Sequence, residues 1–162
     1  MPRRARSATG AEETTIRAEV MRVTWDASFA TGVRAIDVQH KLLIEIINDL
    51  GDAIAHGKGS AEISRVLGFL KYYSSWHFER EEECMERHRC AAAEVNKKAH
   101  CQFVMTFIAL EEEFRASGGS PELALRMHRE LTSWMVRHIR GVDLELREVA
   151  IPAPDPDAMS FA

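Results

Sequence analysis

Histidine and carboxylate side chains recur in this chain at intervals that suit a metal ion. His77 and Glu81 stand four residues apart, so on a helix the ring and the carboxylate project side by side. His100 follows Asn96 by four residues in the stretch EVNKKAHCQF, where a histidine at 96 would complete an ordinary His-x-x-x-His metal pair. His138 precedes Asp143 by five. That interval turns the aspartate about 140° off the face of a straight helix. Gly141 between them lets the helix end or bulge and swing Asp143 inward. His40 is the fourth histidine of the set. A buried charged carboxylate needs a partner, and a metal is the usual one. Imidazole with carboxylate suits iron, and also zinc, manganese or copper.

Helices must carry these side chains, because proline leaves residues 3–120 and 122–151 uninterrupted. Glycines gather instead at HGKGS (56–60) and SGGSP (117–121), and Ser120-Pro121 reads as an N-cap followed by proline at the first helical position. Between these breaks the apolar period is near 3.6. Ile36, His40, Leu43, Ile47, Leu50 and Ile54 form one stripe, and Ile63, Val66, Leu67, Leu70, Tyr73, His77, Glu81 and Cys84 a second. Asn96, His100, Phe103, Phe107, Leu110 and Phe114 form a third, and Met127, Leu131, Trp134, His138 and Val142 a fourth. Four stripes joined by short loops predict an all-α fold, an antiparallel up-down four-helix bundle. One histidine on such a stripe reads as a satisfied core residue. Four on four stripes, beside two carboxylates, point to a metal site in the bundle core. His56, His88 and His128 read as surface or structural residues, and EREEECMER, apart from Glu81, as a solvated face.

The 162 residues fit one domain, expected over 23–150, with tails over 1–22 and 151–162 expected to be disordered. A net charge of −4 makes no electrostatic case for nucleic acid or an anionic membrane. No apolar run approaches the roughly 18 residues of a membrane span. The basic start MPRRARSATG lacks an apolar core segment, which argues against export. Three cysteines, Cys84, Cys90 and Cys101, without C-x-x-C spacing read as reduced thiols in a cytoplasmic protein.

In chain order, Trp25-Asp26, Gly32-Val33, Ile36-Asp37-Val38-Gln39-His40 and His77-Phe78-Glu79-Arg80-Glu81-Glu82 lead to His100-Cys101-Gln102-Phe103 and close with Trp134-Met135-Val136-Arg137-His138 and Gly141-Val142-Asp143. Over about residues 23–147 this order resembles the hemerythrins, in particular the single-domain bacteriohemerythrins. The resemblance implies a non-heme di-iron centre that binds O2 reversibly, with two iron ions as cofactor and O2 as partner. It implies that His40 and His77 hold the iron with an open position, that Glu81 and Asp143 bridge, and that His100 and His138 hold the other iron. A third histidine is expected four residues before His100, and Asn96 stands there. The spacing from Met85 to Asn96 also fits the family, so Asn96 is a substitution at a ligand position, coordinating weakly or replaced by water. Trp134, Met135 and Ile139 are expected to wall the O2 pocket. Cys84 is the one credible additional soft ligand, and a small core residue otherwise. Two alternatives stay open: a di-iron oxidase, ferroxidase or peroxide-consuming enzyme, and a bundle with one metal or none that serves interaction.

Overall fold

The computed structural model describes residues 15, 16 and 18–150; the rest of the two expected tails lies outside the described residues. Four helices dominate: α1 (Arg34–Ala55), α2 (Ser60–Arg87), α3 (Ala93–Ala116) and α4 (Pro121–Ile139). A 3-10 turn, Ala27–Phe29, precedes them, and a second, Val142–Leu146, leads into the short α5 (Arg147–Ala150). Each long helix packs on its neighbour in sequence and α1 closes the ring on α4, as the predicted up-down bundle requires. No strand occurs among the described residues, and no described helix is long and apolar enough to cross a membrane.

Local chemistry sets the helix ends. The Ser120 hydroxyl accepts from the Leu123 N–H with Pro121 in the first turn, which starts α4 where the sequence predicted. Asp37, in the first turn of α1, accepts from the Thr31 N–H and hydroxyl and from the Gly32 N–H. Three helices stop in the same way, with a left-handed residue followed by a six-to-one hydrogen bond. After α1 it is Gly57, with Lys58 N–H on the Ala53 carbonyl; after α3 it is Gly118, with Gly119 N–H on Phe114. After α2 the left-handed residue is Arg89 (φ 55°), with Cys90 N–H on Met85.

The stripes become one large apolar cluster along the bundle and a small one at its end, made of Ile36, Met85 and Leu146. Two positions differ from the sequence reading. One turn beyond Glu81 the fully buried residue is Met85; Cys84 is half-buried at the margin of the small cluster. Val142 is not on α4, which ends at Ile139, and is half-buried in the 3-10 turn. The packed region also reaches back beyond position 23. Ile16 and Val20 lie against the core, Arg22 pairs with Asp52 at 2.9 Å, and Asn48 exchanges two hydrogen bonds with the Val23 backbone.

Two predictions follow from this framework. A left-handed conformation costs a residue with a Cβ on the order of 1 kcal/mol that glycine avoids. Arg89→Gly should therefore raise the thermal midpoint by a few degrees without changing the helical circular dichroism. The second concerns His128, which is fully buried beside Thr132 and Gly51. Burial lowers its pKa in the folded state. Its stabilisation is therefore present above the unfolded histidine pKa of about 6.5 and lost as pH falls, because the unfolded chain then binds the extra proton. The midpoint difference between wild type and His128→Gln should shrink between pH 7 and pH 5, read by thermal melts of both proteins.

Candidate metal centre

The polar residues predicted to converge do so, between the two apolar clusters. His40 comes from α1, His77 and Glu81 from α2, Asn96 and His100 from α3, His138 from the last turn of α4 and Asp143 from the 3-10 turn beyond it. None is more than 7% exposed. The turn at Gly141 (φ −111°, ψ −92°) redirects the chain after Arg140 and brings Asp143 into the core, as its five-residue spacing demanded.

Each carboxylate reaches rings of both pairs, His40 with His77 and His100 with His138. Asp143 places Oδ1 at 3.1 Å from His138 Nε2 and Oδ2 at 3.4 Å from His40 Nε2. Glu81 places Oε1 at 3.4 Å from His40 Nε2, and Oε2 at 3.3 Å from His100 Nε2 and 4.0 Å from His77 Nε2. His100 and His138 point their Nε2 atoms at each other across 2.9 Å. Two groups of donor atoms result, each within 4.8 Å: His40, His77 and Glu81, and Glu81, His100, His138 and Asp143.

The centre fits a cation. His40 Nε2, Glu81 Oε1 and both oxygens of Asp143 are buried without a hydrogen-bond partner. Leaving such atoms unsatisfied costs about 1–3 kcal/mol apiece, and more when charged. The protein's own response is to charge one ring. Burial opposes a proton on His40, yet the Asp143 and Glu81 carboxylates outweigh it and raise its pKa to about 9. At His77 burial wins and lowers the pKa to about 4, leaving a neutral imidazole with a lone pair to offer. Burial also opposes ionisation of Glu81, but the His100 and His40 rings hold its carboxyl well below the usual range.

Outside this ring of ligand atoms, Gln39 Oε1 lies 2.8 Å from His77 Nδ1, and Glu82 Oε1 lies 2.9 Å from His100 Nδ1. Each acceptor holds the ring proton on Nδ1 and leaves Nε2 free toward the centre. Sequence reasoning counted Glu82 with the solvated face and gave Gln39 no role. Cys84 belongs to neither donor group, and burial raises its thiol pKa.

Aromatic rings wall the α3–α4 side. Phe78 stacks on His100 (centroids 3.8 Å, 11°) and Trp134 on His138 (4.3 Å, 17°). Trp134, Met135 and Phe78 also line an apolar cavity of about 20 Å3. Ile139 is buried in the same core without lining the cavity. The sequence reading missed Phe78, whose place one residue after His77 was the available signal.

Among known proteins, residues 31–150 match the family described as hemerythrin HHE cation binding domain. The chain belongs to the hemerythrin family. It is 34% identical over 122 residues to a bacteriohemerythrin of Methylococcus capsulatus, covering 75% of this chain and 91% of that one. A bacteriohemerythrin of Pseudomonas aeruginosa is 32% identical over 121 residues, or 75% and 76% of the two chains. A hemerythrin-like protein of Naegleria gruberi is 26% identical over 125 residues, or 77% and 91%. The hemerythrin match opens at Thr31, tied to Asp37, and closes at Ala150, so it encloses all seven residues of the centre.

In this hemerythrin domain, Gln39→Ala and Glu82→Ala should each weaken cation binding by about 10–100-fold. Competition titration with a chromophoric chelator measures the loss, and thermal melts of the metal-free variants should stay close to wild type.

Proposed function

We propose that this chain is a non-heme di-iron protein that binds O2 for storage, delivery or sensing in the cytoplasm. The observation that carries the reading is the division of two buried carboxylates between two histidine pairs, the arrangement two adjacent cations need. His40 and His77 would hold one iron, His100 and His138 the other, with Glu81 and Asp143 shared and Asn96 at a ligand position. The family match and the bacteriohemerythrin relatives support the choice of iron. Bound there, the two irons would supply the electrons that reversible O2 binding requires.

The protein's part is to hold the rings and keep water out. Gln39 and Glu82 fix two imidazoles in the ligating tautomer. Trp134, Met135 and Phe78 present an apolar wall and a cavity large enough for a small gas molecule. Excluding water from that side limits proton delivery and so slows irreversible oxidation.

The deciding experiment loads the full chain with iron anaerobically, counts metal per chain, and records the visible spectrum before air, in air and after O2 is removed. Two irons and a charge-transfer band that appears and disappears with O2 are expected. Continuous O2 consumption with a reductant and no persistent band would instead make the protein an oxidase or ferroxidase. Iron at one per chain or less would make it a bundle that serves interaction.

A further inference from the structure

Asn96 is the departure from the hemerythrin pattern, and its orientation gives it a meaning beyond a missing ligand. The side chain is fully buried, and its Nδ2 amide donates to Glu81 Oε2 and to Met85 Sδ, both at 3.2 Å. Both neighbours are acceptors, so the NH2 and not the carbonyl oxygen must face them. An amide nitrogen carrying two hydrogens has no lone pair to give a metal. The carbonyl Oδ1 is buried and has no partner.

Setting Asn96 aside makes the two halves of the centre alike. His40 and His77 lie against Glu81, His40 also against Asp143, and His100 and His138 lie against the same two carboxylates. Two metals held there would each have two imidazoles and a share of the carboxylates, with room left for a further ligand. We propose that the metal held by His100 and His138 carries an exchangeable position in the space Asn96 leaves, which takes a small anion or water. This rests on the di-iron reading above. Asn96 Oδ1 is the acceptor for a proton on that guest, and Nδ2 keeps Glu81 aligned between the metals. Asn96 is thus a positioning residue and part of a second ligand site.

Azide titration of the iron-loaded, oxidised full chain tests this, using its visible absorption and the iron content of each preparation. Wild type should bind two azides per iron pair. Asn96→His should bind one, and should hold the more weakly bound iron at least about 10-fold more tightly. Asn96→Ala should keep two azides, because no ligand is removed, while the lost hydrogen bond to Glu81 should weaken iron binding by about 10–100-fold. One azide per pair in wild type, with the affinity and spectrum of Asn96→His, overturns the proposal. So does one azide per pair in wild type that rises to two in Asn96→Ala, which would make the amide oxygen a ligand. Two irons in wild type with a single azide overturn the second site alone, whereas fewer than two irons in wild type but two in Asn96→His make Asn96 a lost ligand and remove the di-iron reading of this chain together with the second site. Fewer than two in both removes the di-iron reading as well.

Discussion

Glu81 and Asp143 each bring a carboxylate with no exposed surface into an otherwise apolar bundle. Removing such a charge from water costs several kcal/mol even after the protein relaxes, so it must be met by opposite charge. Everything near the centre answers that demand. His40, touched by both carboxylates, is the ring whose pKa rises, while His77, 4.0 Å from the single oxygen nearest it, stays neutral. The metal-free protein thus keeps one positive charge where a cation would sit, and binding a cation must displace that proton. A protonated ring satisfies the carboxylates only in part, because Glu81 Oε1 and both Asp143 oxygens still lack hydrogen bonds.

The same demand explains how the apolar residues are distributed. The large cluster fills the bundle away from the site, and Ile36, Met85 and Leu146 close the end beyond it. The polar layer is sealed on both sides by burial that needs no metal. That separation lets the fold and the cation site be perturbed independently. Changes at Gln39 or Glu82 act on ring tautomers, whereas Arg89 and His128 act through a helix stop and the packed core.

The legible features were those that one helix determines by itself. A period of 3.6 residues identified four stripes, the inward histidines and the inward place of Asn96, because each depends only on spacing within an element. Asp143 was legible through Gly141, a local signal that the helix could turn. What escaped depends on one element meeting another. Glu82 reaches His100 only because α2 and α3 pair in one register, and Gln39 reaches His77 only through the register of α1 on α2. Cys84 and Met85 lie three and four residues past Glu81, both near its face, and only packing against Ile36 and Leu146 selects Met85. The segment before position 23 looked like a tail because its anchors, Asn48 and Asp52, are polar residues on α1 with no mark of a partner.

Asn96 joins these two kinds of information. Spacing places it on the face of His100, and the hemerythrin resemblance makes that a position where a histidine is expected, but only the neighbouring acceptors decide which end of the amide faces the centre. Glu81 Oε2 and Met85 Sδ both draw the NH2 group. The residue in the place of a ligand therefore supports the shared carboxylate. A carboxylate fixed by a neutral donor keeps its full negative charge, whereas an imidazole at this position would have added a fifth ring to the centre. Which end of the amide meets that carboxylate follows from hydrogen-bond direction within a side chain that is fully enclosed.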